Sequence, residues 1–255
     1  MHRPTSLVVQ ISGTGKLGRE EALMANMAHE LGVPVIEATE KQLERRKINL
    51  DKDAVAVGSV PFVRSALGQL GICLPMHTPY PPELEGILHR RVAKVRSLRE
   101  AKAMLEIRGR LFIKPADGWK RFTGFVAEFG DDYRFSGASS SKPVWVSDPV
   151  HFVSEWRAYV VEGDVREVRY ADHGGDRDRE PDLSVITAAV ATLTAAARGP
   201  NGYVIDFGVL ENGETALIEM NDGFSFGAYD GVKPSTYWDV TVNRWQELTS
   251  QIKRD

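Results

Sequence analysis

Two acids and an amide stand where a short hairpin would bring their oxygens together. Asp206 lies in Val204-Ile205-Asp206-Phe207-Gly208; Glu219 and Asn221 lie in Leu217-Ile218-Glu219-Met220-Asn221-Asp222-Gly223, beyond a turn at Glu211-Asn212-Gly213. On neighbouring antiparallel strands Asp206 and Glu219 can face each other, and the period of two puts Glu219 and Asn221 on one face. Three oxygen donors so placed suit Mg²⁺, a hard ion that keeps waters or nucleotide phosphates in its other positions. The competing reading is a solvated hairpin whose acids do nothing. It is disfavoured because both acids sit among apolar neighbours, where an unpaired charge is costly.

Cations precede this set. Phe112-Ile113-Lys114-Pro115 is an apolar strand ending in a lysine, followed by Ala116-Asp117-Gly118-Trp119-Lys120-Arg121-Phe122-Thr123-Gly124. A lysine with an apolar approach, then a cationic glycine-containing turn, suits a polyphosphate, which needs compact positive charge and exposed N–H groups. The alternatives are a snorkelling lysine at a strand end and a solvated turn. Further on, Arg157 opens the strand Glu155-Trp156-Arg157-Ala158-Tyr159-Val160-Val161. A guanidinium in so apolar a run needs an anionic partner. Phosphate is the favoured one, and an ion pair with a nearby acid such as Glu155 is the alternative.

Gly13-Thr14-Gly15-Lys16-Leu17-Gly18 formally matches the dinucleotide fingerprint, with Glu37 at the end of the next strand. A tight strand-to-helix turn is preferred over an NAD site, because the α/β unit stops too early for a second mononucleotide-binding half. The helix N-terminus there would still favour an anion.

The elements that must position these groups follow from periodicity. Leu7–Ser12 reads as a buried strand and Arg19–Leu31 as a helix with Leu23, Met24, Met27 and Leu31 on one face. Val33–Ala38 and Ala54–Val57 are two more strands, which makes the first ~75 residues a small parallel α/β unit. Pro75, Pro79, Pro81 and Pro82 mark a linker. A cationic helix is expected from about Leu84 to Leu105. Antiparallel strands follow at Leu111–Lys114, Phe122–Phe129, Val144–Val146, Trp156–Val161 and Val165–Tyr170. A helix over Leu183–Ala197 leads to two last strands, Gly202–Leu210 and Thr215–Met220.

With 255 residues, 42% hydrophobic and 26% charged, the chain has the composition of an ordinary globular protein. A net charge of −3 argues against general nucleic-acid binding. The single cysteine, Cys73, excludes an internal disulfide and is expected in the core. The N-terminal apolar run is too short for a signal peptide and no stretch could span a bilayer, so a cytoplasmic location without membrane association is expected.

In order, a lysine strand, a Gly-containing loop, an E-x-R strand and a D…E-x-N set resemble the ATP-grasp fold. More narrowly, FIKPADGWKRFTGFV, VSEWRAYVV and ALIEMNDGFSFGAYDG resemble the R-two-K clade of that superfamily, inferred to contain peptide or amino-acid ligases. The likeness covers roughly residues 88–245. It implies an α/β and α+β chain: a pre-ATP-grasp-like domain at 1–87, then an ATP-grasp domain at 88–255 with lobes of about 88–146 and 147–255. ATP and Mg²⁺ are the implied cofactors, with nucleotide between the two lobes. Lys114 would touch the α-phosphate and the adenine side, and the turn bearing Gly118, Lys120, Thr123 and Gly124 would cover the β- and γ-phosphates. Val146 and Ser147 would pair with adenine through backbone groups. Arg157 would stabilise the γ-phosphate and an acyl phosphate, with Lys120 as the second catalytic cation. Asp206, Glu219 and Asn221 would hold one or two Mg²⁺. The chain departs from the wider pattern in a short phosphate loop carrying Trp119 and Lys120. It departs again at the first-lobe lysine, for which Arg91 or Lys94 stands in.

The implied reaction is ATP-dependent joining of a carboxylate to an amine through an acyl phosphate. Small-molecule or peptide carboxylates and amines are the expected partners, with Arg169, Asp222 and the loop Gly223–Gly231 as candidates for recognising them. The oligomeric state, a homodimer included, is left open. Competing readings are a nucleotide-binding module without catalysis, an NAD-dependent oxidoreductase, and a kinase that stops at phosphoryl transfer.

Overall fold

The computed structural model describes residues 3–76, 78–116, 122–171 and 174–250. The chain divides into two compact units, one made of residues 1–84 with 153–255 and the other of residues 85–152.

The larger unit opens with the parallel strands read from the sequence. β1 (Leu7–Gln10), β2 (Val35–Ala38) and β3 (Val55–Val57) pair in the order β2-β1-β3, joined by α1 (Arg19–Glu30) and the short α2 (Glu40–Glu44). Thr39 caps α2 with a capping box, and Ser59 caps α3 (Val60–Gln69) by accepting the Phe62 N–H. The proline segment that reads as a linker is packed, not loose: Pro79, Tyr80 and Pro81 are buried, and the Pro79 carbonyl accepts the Met220 N–H at 2.9 Å. Cys73 is exposed, against the expectation of a core thiol.

The smaller unit is a four-stranded antiparallel sheet of β4 (Val92–Val95), β5 (Leu111–Pro115), β6 (Phe125–Ala127) and β7 (Val144–Ser147), in the order β4-β7-β5-β6. One helix, α4 (Leu98–Arg108), packs against it, and Leu98, Leu105, Leu111, Ile113, Val144 and Val146 share its core. The long cationic helix expected from Leu84 to Leu105 is not formed. A 3₁₀ turn at Pro82–Ile87 gives way to β4, and α4 starts only after Ser97, whose side chain accepts the Glu100 N–H. Arg90, Arg91, Lys94 and Arg96 blur the alternation that would have marked β4 as a strand.

The chain then returns to the larger unit. β8 (Ser154–Val161), β9 (Asp164–Tyr170), β10 (Gly202–Val209) and β11 (Thr215–Asp222) form an antiparallel sheet in the order β11-β10-β8-β9, with α5 (Leu183–Ala195) beside β9. The last element, α6 (Pro234–Thr249), has no counterpart among the elements expected from periodicity. Its buried residues include Tyr237, Trp238, Val240, Val242, Arg244 and Trp245, so it lacks the polar face that reveals a surface helix. The two parts of this unit share one core, in which Leu7, Val8, Met24 and Phe62 join Tyr159, Val204, Trp238 and Trp245. α6 approaches β10 so closely at Gly202 that a side chain there would collide with the Val240 carbonyl. Among the described residues, no helix is long and apolar enough to cross a membrane.

Candidate active site

Register places the functional side chains of the larger unit in one row. Asp206 on β10 pairs with Arg157 on β8 and with Glu219 on β11, and a bulge follows Asp206. Alternation brings Asn221 to the same face two residues on. Asn221 Nδ2 donates to Glu219 Oε1 at 3.0 Å and to Asp206 Oδ2 at 3.3 Å, so the expected convergence of Asp206, Glu219 and Asn221 is present.

Arg157 makes an ion pair, the alternative considered from sequence, with Asp206 as the acid. Its Nε and Nη2 donate to Asp206 Oδ1 and Oδ2, both at 2.7 Å, while Nη1 donates to the Gly227 carbonyl at 2.8 Å. The Tyr229 ring lies 4.1 Å from the guanidinium. Glu155 meets the Tyr229 hydroxyl at 3.4 Å and is not the acid that pairs with Arg157. Burial pushes the Asp206 carboxyl up, Arg157 pulls it down by charge and hydrogen bond, and Glu219 adds a further upward push; the balance is upward from the usual aspartate value. Burial also works against the charge of Arg157, yet Asp206 outweighs it and the guanidinium holds its proton more tightly than in water.

The donor set fits a hard divalent cation. Two carboxylates and an amide converge, and Asp206 is held with a second acid beside it, a repulsion that a cation relieves. Among the described residues no group of three or more His, Cys, Asp or Glu could hold a metal ion, and the set here is two acids with an amide. Asn221 turns its N–H toward both acids, and an amide flip would offer its carbonyl instead.

The loop after this row, Gly223–Gly231, is tied down. Ser225 Oγ donates to the Gly58 carbonyl (3.0 Å), the Tyr237 hydroxyl to Phe226 O (2.7 Å), the Ala228 N–H to Glu20 Oε1 (3.0 Å) and the Tyr229 N–H to the Tyr159 hydroxyl (3.0 Å). The other recognition candidates are committed elsewhere. Asp222 takes two hydrogen bonds from Arg244, at 2.6 and 2.7 Å, and Arg169 pairs with Glu167.

The glycine motif is not a phosphate turn. An Ile11–Leu17 bridge and the Ser12–Lys16 hydrogen bonds close it into a small exposed hairpin, whose last glycine, Gly18, is the N-cap of α1. Glu20 and Glu21 occupy the first turn of α1, where their negative charge complements the helix dipole.

In the smaller unit, Lys94, Trp145 and Lys114 form one row across β4, β7 and β5, with Lys94 Nζ 5.8 Å from the Trp145 ring centre. Val92, Ser147 and Phe112 form the neighbouring row on the same face. Gly124 approaches so closely that a Cβ there would stand 2.6 Å from Phe112 Cζ and 2.8 Å from Lys114 Cβ. Arg91 lies off this face and is engaged by Asp148, through Nε at 2.8 Å and Nη2 at 3.2 Å. Of the two residues considered for the first-lobe cation, Lys94 shares the face of Lys114 and Arg91 does not, a difference that only the cross-strand register reveals. Val146 and Ser147 lie in an interior strand, paired with Ala93 and Ile113 and with Val92 and Phe112 respectively. Val146 also points into the core. Thr123 is exposed, and Gly118 and Lys120 lie outside the described residues.

The comparisons agree with the order of these pieces. The ATP-grasp domain of the R-two-K clade, family 2, matches residues 87–240. A search of curated proteins finds no match. Among solved structures, D-cycloserine synthetase DcsG is similar at 12% identity and a TM-score of 0.58, over 97% of this chain and 100% of that one. A RimK domain ATP-grasp protein from Sphaerobacter thermophilus follows at 12% identity and 0.55, over 97% and 99%. D-alanine–D-alanine ligase from Bacillus anthracis, complexed with ATP, gives 14% and 0.53, over 98% and 100%. Such identities establish the fold. With the family match spanning residues 87–240, the chain belongs to family 2 of the R-two-K clade of ATP-grasp proteins.

Proposed function

We propose that the chain is a Mg-ATP-dependent ligase that joins a carboxylate to an amine through an acyl phosphate. The observation that carries this reading is the row Arg157–Asp206–Glu219 with Asn221 beside it, two acids and an amide that suit a cation next to a buried guanidinium on paired strands. A carboxylate oxygen of the first substrate attacks the γ-phosphorus of ATP, the bond to the bridging oxygen breaks, and ADP leaves. The amine then attacks the acyl carbon, phosphate departs, and the amine gives up a proton. Magnesium, held by Asp206, Glu219 and Asn221, would supply neutralisation of phosphoryl oxygens. Three of the five Arg157 N–H groups are used by Asp206 and Gly227, which leaves two for the transferred group. Lys114 and Lys94 are assigned to nucleotide phosphates, Ser147 to the same face through its side chain, and Gly118, Lys120, Thr123 and Gly124 to the phosphate loop. Positioning and charge stabilisation dominate in such transfers. The substrates are small-molecule or peptide carboxylates and amines in the cytoplasm.

A nucleotide-binding module without catalysis is the second reading. It is favoured by one observation, that Asp206 already holds Arg157 on two edges. Calorimetric titration of ATP with and without Mg²⁺ tests both, using wild type, the Asp206→Ala plus Glu219→Ala double variant, and NAD as a control ligand. Metal-dependent ATP binding that the double variant loses supports the site; NAD binding without ATP binding sinks it. ADP release with carboxylate and amine pairs then separates ligase from module.

A further inference from the structure

The sheet of the smaller unit ends on a basic strand with an open side. β4 pairs with β7 alone, and no described strand covers its other edge. The Asp148 N–H donates to the Arg91 carbonyl at 3.1 Å, which marks that pair as hydrogen-bonded. Alternation along an antiparallel pair then turns the main-chain groups of Ala93 and Val95 inward and those of Val92 and Lys94 outward. Ala93, Lys94 and Arg96 are exposed, so solvent reaches this edge.

Charge is concentrated on the same strand. Arg90, Arg91, Lys94, Arg96 and Arg99 fall between His89 and Arg99 with no acid among them. Residues 85–152 carry 13 Lys and Arg against 8 Asp and Glu, within a chain whose net charge is −3. A lysine on an edge strand is a common guard against unwanted pairing, but one or two charges suffice for that purpose. The Arg91–Asp148 and Arg96–Glu100 pairs involve arginines 76% and 93% exposed, and such pairs are weak enough for an incoming acid to replace.

We propose that β4 is a docking edge for an extended acidic peptide, which adds to the sheet as a further strand. The outward N–H and C=O groups of Val92 and Lys94 set its register, and acidic side chains meet Arg96 on one face and Arg91 on the other. A nucleic acid would satisfy the charge but not the main-chain ladder, so the peptide is the better complement.

The test is fluorescence anisotropy of a labelled peptide about ten residues long, alternating Glu with Thr, titrated with the full chain at low and moderate salt. A second peptide carries N-methyl groups on its backbone. Arg96→Glu reverses an edge charge, and Val92→Pro deletes an outward N–H at a position where an edge strand accepts proline. Expected are saturable binding to wild type, a loss of about tenfold or more in each variant at unchanged melting temperature, and failure of the N-methylated peptide. The proposal is overturned by absent binding, by equal binding of the N-methylated peptide, or by a single-stranded RNA of matched charge that competes equally well. It is likewise overturned by sedimentation that finds the chain pairing with itself through this edge, with Arg96→Glu restoring the monomer. Should Val92→Pro fail to fold, the N-methylated peptide decides alone.

Discussion

Arg157 grips both carboxylate oxygens of Asp206, one through Nε and one through Nη2, each at 2.7 Å in the interior of the larger unit. The acid proposed for the metal is thus also the acid that orients the arginine proposed for the phosphate, and neither can be removed without disturbing the other.

Asp206→Ala should therefore act on stability as well as on metal binding. It leaves a buried guanidinium without its counter-charge, for which a loss of about 3–5 kcal/mol is expected in urea unfolding. Arg157→Lys keeps the charge but gives up the two-pronged contact, and should lose about 2 kcal/mol. Equal midpoints for wild type and Asp206→Ala would show that the pair contributes nothing.

Tyr229 covers the guanidinium with its ring at 4.1 Å and bonds Glu155 through its hydroxyl. Tyr229→Phe should be nearly silent in stability, whereas Tyr229→Leu, which removes the π face, should lose about 2 kcal/mol. If Mg-ATP binds wild type, Tyr229→Leu should leave its affinity within a few-fold and lower the rate of ADP release. An unchanged rate with altered affinity would reverse this assignment.

Gly124 has no room for a methyl group against Phe112 and Lys114. Gly124→Ala should displace the Lys114 side chain and weaken ATP binding by about tenfold, with a stability loss of about 1–3 kcal/mol from overpacking. Calorimetry on the folded variant measures the first and urea unfolding the second. Unaltered affinity would mean that Lys114 does not touch the nucleotide.

Arg134 holds the Asp132 carboxyl down to about 2 by a side-chain hydrogen bond and a backbone one. The folded value lies below the unfolded one, so the stabilisation is present above the ordinary carboxylate range and fades as pH falls toward about 2. Carboxyl NMR titration should find the Asp132 midpoint near that value and see it rise in Arg134→Ala. A midpoint that ignores the substitution would remove Arg134 as the cause.

Local spacing makes much of the site legible. A hairpin with one acid on its first strand and E-x-N on its second predicts facing carboxylates, and β10 and β11 deliver them. The partner of Arg157 is not legible, because Asp206 lies 49 residues away and only the β8–β10 register brings them together. Lys94 is hidden in a stretch that resembles a helix in composition, and its place beside Trp145 and Lys114 is a property of three paired strands. α6 escapes detection because a helix buried on most sides carries no polar stripe to give its period away.

The division of the chain bears on how it is made. Leu7, Val8 and Phe62 reach the ribosome exit long before Trp238 and Trp245, with which they share a core. At ordinary elongation rates the interval is on the order of ten seconds, enough for the intervening segment 85–152, with its own core, to fold while the first strands still wait. During that interval the nascent N-terminus exposes an apolar surface whose cover has not yet been translated. Holding by a chaperone, or the rate of elongation through the second half of the message, would then influence yield.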